Sequence, residues 1–313
     1  MLSTSRLALS LRRLLQNQFY RGLTSEAQPH IESPVQSDKE KSIVITKSGP
    51  ITLFGINRTS KKNCLDSIAV EELSDALNTF DENDETGIGI IHGIGGTFCS
   101  GFDLDEIAKS NGNFDNLPHF SSLFSKSVLT KKPLIASISG YAVGMGFELA
   151  LMCDIRIVEE SSRLGFLNKR FGIPIMCGGT VRLPAMVGYS RAMDLILSGR
   201  ELTSEDAVNW GIATRAVACG AALGQCITLA HSIVKYPRAA SDADRASLNY
   251  AVFGSKPIED LLEFEKTNAT DGLLDEGIKG AQRFVDGFGR HGKASNMNTT
   301  NVRKFKQLED DVL

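Results

Sequence analysis

Two glycine-rich segments, each directly after an apolar strand, are the parts of this sequence best suited to chemistry. They are GGTFCSGFDLDEI at residues 95–107 and SGYAVGMGFELALMCDIRI at residues 139–157. A strand that ends in small residues and opens a helix leaves backbone N–H groups without partners in the helix. Two such turns side by side can direct two N–H groups at one oxygen atom, which is how an oxyanion hole is built. Either turn taken alone also fits a simple tight corner.

Glu148 lies in the second segment, three residues after Met145, in the otherwise apolar stretch FELALM. Burying a carboxylate among apolar side chains disfavours its charged form and moves its pKa toward the range that suits acid–base catalysis. The pattern therefore predicts that Glu148 transfers protons. The alternative is a carboxylate that only stabilises the start of its helix through the helix dipole.

The chain before and between these turns alternates strands and helices. SIVIT and ITLFGI predict two strands that flank a turn at residues 48–50, and GIGIIHGI predicts a third strand. Between them, Asp66 or Ser67 is placed to cap a helix. The apolar face of that helix consists of Leu73, Ala76, Leu77 and Phe80. This order of elements is typical of an α/β layer.

The same alternation continues to about residue 220. PLIASISGYA predicts a buried strand that runs into the second turn, GFELALM a short helix, and DIRIVEE and RLGF two more strands. The segment TSED begins a helix at Thr203 with a capping-box pattern, and the helix is expected to continue through Trp210 and end at Gly211. From Gly220 onward the pattern predicts helices without a strong strand.

The order of the two turns, followed by GGTVRLPAMVGYSRAMDLILSGRELTSEDAVNWGIATR and LDEGIKGAQRF, resembles the crotonase superfamily (the enoyl-CoA hydratase/isomerase family) over residues 42–292. The resemblance implies the crotonase version of an α/β fold, with repeated ββα units in two roughly perpendicular sheets. It also implies C-terminal helices that join subunits into a homotrimer or a dimer of trimers. We therefore expect a core domain at 42–240, a helical assembly subdomain at 241–292 and a flexible tail at 293–313.

The resemblance further implies an enzyme that binds an acyl-CoA thioester and stabilises enolate-like charge on its carbonyl oxygen, with CoA as part of the substrate and no separate cofactor. The two oxyanion N–H groups of the family correspond to Phe102 and Met145, and one of the two catalytic glutamates of hydratases corresponds to Glu148. The segment NRTSKKNCLD matches the part of the family that lines the CoA groove. Substrate contacts are expected at Arg58, Lys61, Lys62, Ser100, Gly101, Asp103, Leu104, Gly144 and Asn168.

Some of these contacts have simpler alternatives. A run of charges such as Arg58, Lys61 and Lys62 often forms only a solvated surface. Phe166, Leu167 and residues 117–123 are candidates for an acyl pocket, although apolar side chains more often belong to the core.

The second hydratase glutamate corresponds to Asn168, in the segment LGFLNKRFGIPIMCGGT. Asparagine can hydrogen-bond or orient water, but it does not transfer protons at neutral pH. Three interpretations stay open: Glu148 alone both activates water and passes on a proton, Glu148 moves a proton between carbons in an isomerase, or the chain is a weakly active scaffold that binds CoA esters or RNA. The single base of family isomerases usually corresponds to position 168, which argues against isomerisation.

Composition narrows the class of protein. The 313 residues are 42% hydrophobic and 23% charged, which is typical of a globular protein. A formal net charge of -3 argues against nucleic-acid binding, and no apolar run approaches the ~20 residues of a membrane span. No exact GxGxxG or GxxxxGK[ST] motif supports a nucleotide-binding dehydrogenase or kinase.

Six cysteines without CxxC pairing or a histidine cluster predict no metal site and no disulfide framework, so we expect reduced, mostly buried thiols.

The first 25 residues differ from the rest of the chain. They contain four arginines and no acidic residue before Glu26, and Leu7, Leu11, Leu14 and Leu15 form one helical stripe. This amphipathic, acid-poor composition is typical of a mitochondrial transit peptide, with an ordinary surface helix as the alternative. We therefore expect a transit peptide at 1–25, a polar linker at 26–41 and a mature enzyme in the mitochondrial matrix.

Overall fold

A computed structural model describes residues 41–109, 121–124, 126–171 and 173–254, all of which belong to one unit, Gln36–Leu313. Its strands are β1 (Ile43–Ser48), β2 (Ile51–Ile56), β3 (Ile88–Gly93), β4 (Leu134–Ile138), β5 (Tyr141–Val143), β6 (Ile155–Glu159), β7 (Arg163–Gly165), β8 (Leu202–Thr203) and β9 (Arg215–Val217). Its helices are α1 (Ser67–Glu82), α2 (Leu104–Lys109), α3 (Ser121–Phe124), α4 (Met145–Met152), α5 (Gly179–Val187), α6 (Tyr189–Ser198), α7 (Ser204–Asn209), α8 (Ala222–Ile233) and α9 (Arg238–Phe253). Two short 3-10 helices cover Thr59–Lys61 and Leu167–Phe171.

The larger sheet has six strands in the order β1-β2-β3-β4-β6-β9, and the smaller has three in the order β5-β7-β8. β1 is antiparallel to β2, while the other neighbours in the larger sheet are parallel. Every residue of β2 and β4 is buried. Continuous apolar strands of this kind are expected where both faces of a parallel sheet are covered. The predicted α/β layer is confirmed.

Helix α1 follows the sequence pattern closely. Asp66 is its N-cap, and the carboxylate of Asp66 accepts a hydrogen bond of 2.9 Å from the N–H of Ala69. The predicted apolar face is buried, and Phe80 packs edge-on against Phe54 of β2 with ring centroids 5.5 Å apart. Burying one such side chain stabilises the fold by roughly 1.5–3 kcal/mol. The first ββα unit is therefore held together by this contact between helix and sheet.

The segment predicted as one strand before the second turn is divided between the two sheets. β4 ends at Ile138, and β5 begins at Tyr141 and pairs with β7 in the smaller sheet. Gly140 makes the change of direction possible, because its φ of 57° suits glycine and a Cβ at this position would collide with the carbonyl of Gly96. The polypeptide thus changes sheets immediately beside the first glycine-rich turn.

The C-terminal part of the described chain is helical, as predicted. Thr203 and Asp206 form the expected capping box at the start of α7, and α8 and α9 follow Gly220. The sequence pattern missed the short strand β9, whose three residues are too few for a periodic signal. The predicted assembly subdomain begins within α9. Residues 255–292 of it, the tail at 293–313, and residues 1–40 lie outside the described residues.

Other expectations concern the cysteines and the membrane. Five of the six cysteines are buried, Cys219 is exposed, and all six are free thiols, as predicted. In the described part of the chain, no helix has both the length and the apolar character needed to cross a membrane.

Candidate active site

The first glycine-rich turn runs alongside β5, which leads into the second. The backbone N–H of Cys99 donates to the carbonyl of Tyr141 at 2.9 Å, and the N–H of Val143 donates to the carbonyl of Cys99 at 3.0 Å. The two turns are therefore tied together by the main chain, as the oxyanion-hole hypothesis requires.

Phe102 lies in the first turn and forms a parallel β-bridge with Leu65, in the segment that precedes α1. The N–H of Leu65 donates to the carbonyl of Gly101 at 2.8 Å, and the N–H of Asp103 donates to the carbonyl of Leu65 at 3.0 Å. Because the backbone groups of successive residues in an extended chain alternate in direction, the N–H of Phe102 points away from Leu65.

Glycines allow the second turn to approach the first. Gly101 has a φ of 103°, and a Cβ built on it would lie 3.4 Å from the backbone nitrogen of Met145. A Cβ on Gly146 would collide with the carbonyl of Cys99. Met145 is the first residue of α4, so its N–H has no acceptor within that helix. The two proposed oxyanion donors, at Phe102 and Met145, thus belong to turns in van der Waals contact.

The turns open into a cavity of about 420 Å³, a volume within the range of small-molecule sites. Eight of the predicted site residues line it: Lys61, Ser100, Gly101, Phe102, Asp103, Leu104, Gly144 and Asn168. Four others do not line it, namely Arg58, Lys62, Met145 and Glu148. The cavity therefore brings together residues of both turns. The carboxylate of Glu148, which is expected to act on the substrate, is buried and does not line the cavity.

The cavity has further lining residues that the sequence did not single out for it. These are Cys64, Asp105, Val143, Arg170, Phe171 and Ile173. Leu167, Asn168, Arg170 and Phe171 belong to the second 3-10 helix. Five residues carry no usable periodicity, so the sequence contained no signal for this helix. The 64% exposure of Phe171 leaves an apolar surface at the mouth of the cavity.

Asp103 anchors the basic segment to the first turn. Its carboxylate accepts hydrogen bonds from Arg58 at 2.8 Å and from Lys61 at 3.0 Å. Arg58 also pairs with Asp66 at 2.6 Å, and Lys61 with Asp105 at 2.9 Å. Burial raises the pKa of Asp103, but the bonds from Lys61 and Arg58 outweigh it and lower this pKa to about 2. Arg58 therefore has a bracing role, since its charge is already paired by two carboxylates.

The cations at the cavity are Lys61 and Arg170. Lys61 lines the cavity while it pairs with acidic residues, and Arg170 pairs with Glu201 at 3.4 Å on the exposed surface. Lys62 is exposed, has a φ of 55° and does not line the cavity. Of the three predicted basic contacts, Lys61 is thus the one that lines the cavity, with its charge paired by Asp103 and Asp105.

Glu148 is fully buried beside the start of α5. Its Oε1 accepts hydrogen bonds from the backbone N–H groups of Cys177 at 2.7 Å and Gly179 at 3.0 Å. Its Oε2 is buried without a hydrogen-bond partner. Burial raises the pKa of this carboxyl, while these N–H groups and the positive charge of Arg182 act in the opposite direction. One oxygen of this carboxyl group therefore accepts two hydrogen bonds, and its pKa is raised toward the range useful in acid–base chemistry.

Asn168 lies on the cavity side of the same region. Its Nδ2 donates to the carbonyl of Ile173 at 2.8 Å, while its Oδ1 is buried without a hydrogen-bond partner. A Cβ built on Gly144 would lie 3.7 Å from that Oδ1. Asn168, which the resemblance matches to the second hydratase glutamate, is therefore next to the second turn.

The predicted acyl-pocket residues divide between cavity and core. Leu167 lines the cavity. Phe166 packs against Phe147 with ring centroids 5.1 Å apart and belongs to the core, as does Leu123. Residues 117–120 lie outside the described part of the chain.

No group of three or more histidine, cysteine, aspartate or glutamate side chains is arranged to hold a metal ion within the described ranges.

Comparison with known proteins finds relatives among the enoyl-CoA hydratases. The family model for enoyl-CoA hydratase/isomerase matches residues 46–287. A relative from Dictyostelium discoideum, described as a probable mitochondrial enoyl-CoA hydratase, is 31% identical over 80% of this chain and 85% of its own length. A 2,3-dehydroadipyl-CoA hydratase from Escherichia coli is 28% identical over 66% of this chain and 81% of its own length.

Solved structures agree in fold. The enoyl-CoA hydratase from Mycobacterium tuberculosis H37Rv superposes with a TM-score of 0.72 at 28% identity, covering 79% of this chain and 96% of that one. The Bacillus anthracis enoyl-CoA hydratase gives a TM-score of 0.72 at 28% identity, covering 78% and 96%. The predicted crotonase fold is confirmed, and the chain belongs to the enoyl-CoA hydratase/isomerase family of the crotonase superfamily.

Proposed function

We propose that this protein is an enoyl-CoA hydratase-type lyase in which the N–H groups of Phe102 and Met145 bind the thioester carbonyl and Glu148 is the acid–base residue. The observation that carries the proposal is the contact between the two glycine-rich turns at the cavity. A Cβ on Gly101 would lie 3.4 Å from the nitrogen of Met145, so the backbones of the two turns approach each other closely. Family membership supports the same substrate class.

The proposed reaction adds water across the C2–C3 double bond of an enoyl thioester. The oxygen of water bonds to C3 as Glu148 accepts its proton, and the electron pair of the double bond moves toward the carbonyl oxygen. The N–H groups of Phe102 and Met145 stabilise that developing charge, and the loss of one such donor typically reduces turnover by about 100- to 1,000-fold. The electron pair then returns to C2, which takes a proton from the Glu148 carboxyl.

A single carboxyl suffices for this sequence because the proton taken from water is returned to the substrate. The raised pKa of Glu148 suits both steps. The carboxyl lies behind the cavity lining, so the proposal requires a bridging water or a local movement when substrate binds. Catalytic contacts often tighten in this way only in the substrate complex.

Product mass separates the candidate activities. Purified protein is incubated with short, medium and branched enoyl-CoAs, and the products are identified by mass spectrometry. Gain of one water supports the hydratase proposal. A product of unchanged mass with a shifted double bond would replace it with isomerisation, and binding of CoA esters without conversion would indicate a scaffold.

The family resemblance and the described surface support a homotrimer or a dimer of trimers. Large apolar side chains are exposed on α5, α6 and α9, including Val181, Tyr189, Leu197 and Leu248. Exposed apolar surface of this kind often marks a protein interface. Light scattering at micromolar concentration tests the assembly, and a clean monomer would contradict it.

We also propose import into the mitochondrial matrix, followed by removal of the transit peptide. The composition of residues 1–25 supports this location, as does the description of the Dictyostelium discoideum relative as mitochondrial. N-terminal sequencing of protein isolated from mitochondria is expected to begin after Arg21. Retention of Met1 on cytosolic protein would refute the proposal.

A further inference from the structure

We propose that Arg182 is a positioning residue for the acid–base step, because its buried guanidinium holds positive charge against the backbone segment that binds Glu148. The charge favours the carboxylate form of Glu148, which is the form that accepts a proton from water. This inference rests on the proposed function and adds a residue to it. Arg182 acts through Glu148 and does not itself line the cavity.

The guanidinium of Arg182 folds back over the start of its own helix. Arg182 lies in the first turn of α5, which begins at Gly179, and it is only 8% exposed. A Cβ built on Gly178 would collide with Nη1 of Arg182, so this nitrogen lies directly against the backbone of Gly178. Gly178 has a φ of 89°, a conformation that suits glycine. The missing side chain at position 178 therefore leaves the space that the guanidinium occupies.

The segment that the guanidinium contacts is the one that binds Glu148. Gly178 lies between Cys177 and Gly179, whose N–H groups donate to Oε1 of Glu148 at 2.7 Å and 3.0 Å. A cation held close to a carboxyl group favours its ionised form. Burial raises the pKa of Glu148, while the hydrogen bonds and the positive charge of Arg182 act to lower it. Arg182 therefore limits how far burial can suppress the carboxylate.

Two backbone carbonyls fix the direction of the guanidinium. Nη2 of Arg182 donates to the carbonyl oxygens of Lys126 and Ser127, each at 3.0 Å. These acceptors are neutral, so they hold the group without cancelling its charge. Burial lowers the pKa of Arg182, and the charges of Glu148 and Cys177 raise it. Because a guanidinium keeps its proton in proteins, Arg182 is a fixed cation across the pH range in which Glu148 titrates.

The other charged side chains on the elements around α4 and α5 have partners of their own. Ion pairs join Arg238 to Asp242 and Arg245 to Asp154 at α9, Arg200 to Asp194 at α6, Arg170 to Glu201 beside the second 3-10 helix, and Lys61 to Asp103 and Asp105 at the cavity. Arg191 of α6 lies over the ring of Trp210, and the ammonium of Lys126 donates to Asn78 at 2.9 Å. Tyr141 of β5 and Asp244 of α9 are exposed. Arg182 is thus the cation whose charge is directed at Glu148.

The test measures the ionisation of Glu148 in variants that change the charge at position 182. Arg182→Gln and Arg182→Met remove the charge, and Arg182→Lys keeps it. Arg245→Gln is the matched control, because Arg245 also donates to two consecutive carbonyls, those of Thr130 and Lys131. The carboxylate beside Arg245 is that of Asp154, at 2.6 Å, so its removal leaves the surroundings of Glu148 unchanged.

Two measurements report the ionisation independently. One is the midpoint of the acid limb of kcat for hydration of crotonyl-CoA. The other is an infrared titration of the buried carboxyl band, assigned by its absence in Glu148→Gln. Both midpoints are expected to shift to higher pH in Arg182→Gln and Arg182→Met, because loss of the cation disfavours the carboxylate. Arg182→Lys is expected to stay closer to the wild type than either neutral variant, and Arg245→Gln to match the wild type even where its Tm is lower.

The lysine variant separates an electrostatic role from bracing of the chain. All three substitutions at position 182 lose the guanidinium that bonds to Lys126 and Ser127, so a residue that only braces the chain would give the same shift in each. That result, or wild-type midpoints in the neutral variants, would overturn the inference. The infrared titration needs no substrate, so it decides the role of Arg182 even in a variant without turnover. Wild-type protein that hydrates no enoyl thioester would instead overturn the proposed function, so the two failures are distinguishable.

Discussion

Glu148 and Gly179 are joined by a hydrogen bond of 3.0 Å, in which the backbone N–H of Gly179 donates to the carboxylate. Gly179 is the first residue of α5, so the carboxylate also lies at the N-terminus of that helix, where negative charge is favoured. Glu148 thus links α4 to α5 as well as being the proposed acid–base group. Variants of this residue must therefore be assayed for stability and for turnover separately.

Glu148→Gln is expected to lower hydration of crotonyl-CoA by about 100- to 10,000-fold while thioester binding persists. The glutamine carbonyl keeps the bonds to Cys177 and Gly179, but the amide cannot shuttle a proton. Its buried NH₂ group is expected to cost about 1–3 kcal/mol of unfolding free energy. Turnover, calorimetric affinity and thermal unfolding measure the three effects.

A matched control for Glu148→Gln is Glu159→Gln, which changes another buried carboxylate. Glu159 accepts a hydrogen bond of 2.8 Å from the N–H of Gly220 and does not line the cavity. It is expected to retain turnover. If Glu148→Gln turns over substrate at the wild-type rate, the proton shuttle is a different group.

The pH dependence of turnover is expected to reflect the raised pKa of Glu148. The base that accepts a proton from water must be ionised, so kcat should fall as the pH falls through this pKa. The midpoint should lie above the ordinary glutamate value of 4.5. Steady-state hydration rates across the acid range measure the midpoint, and a midpoint at or below 4.5 would contradict the assignment.

The raised pKa of Glu148 also affects the free energy of unfolding, and this effect has the opposite pH dependence to that of kcat. Because the folded-state pKa of Glu148 is raised, folding favours its protonated form. Its contribution to stability is present below the unfolded-state pKa and is lost as pH rises through the folded-state pKa. Relative to Glu148→Gln, the wild type should therefore lose unfolding free energy over that interval, as measured by urea unfolding.

Asp103→Asn is expected to destabilise the fold near neutral pH, because the acceptor for the hydrogen bonds from Arg58 and Lys61 loses its negative charge. The folded-state pKa of Asp103 is lowered to about 2, so its contribution is present above the ordinary value of 3.8 and disappears as pH falls toward 2. The difference in unfolding free energy should shrink over that interval. Asp105→Asn is the control, because its pair with Lys61 is exposed and screened by solvent, so its removal should change stability less.

Gly146→Ala is expected to reduce both stability and turnover, because the new methyl group would collide with the carbonyl of Cys99 and separate the two turns. Gly224→Ala is a suitable comparison. Gly224 lies inside α8 with open space around its Cβ position, so alanine there should be neutral or stabilising by up to about 1 kcal/mol. Thermal unfolding and hydration assays on both variants test the contact. Unchanged turnover in Gly146→Ala would show that the close approach of the turns is dispensable.

Local pattern in the sequence determined most helices and strands and the two glycine-rich turns. Helix α1 was predictable because its cap at Asp66 and its apolar face are set by residues a few positions apart. The resemblance to the crotonase superfamily placed the proposed oxyanion donors at Phe102 and Met145, in two turns whose glycines are visible in the sequence. The division of one predicted strand into β4 and β5 could not be seen, because it depends on a contact between Gly140 and Gly96, more than forty residues apart.

Only the tertiary structure decided what surrounds the polar side chains. The sequence placed Glu148 one turn from Met145, but its burial depends on α5, whose N-terminus is brought against the carboxylate by folding. The sequence identified Asn168 as a missing carboxylate, and the direction of its amide is set by the carbonyl of Ile173. Residue type and spacing determine which groups are available for chemistry. The hydrogen-bond partners, burial and direction of these groups depend on long-range packing. Hydrogen bonds and desolvation are set by which atoms lie close in space, including atoms far apart in the sequence.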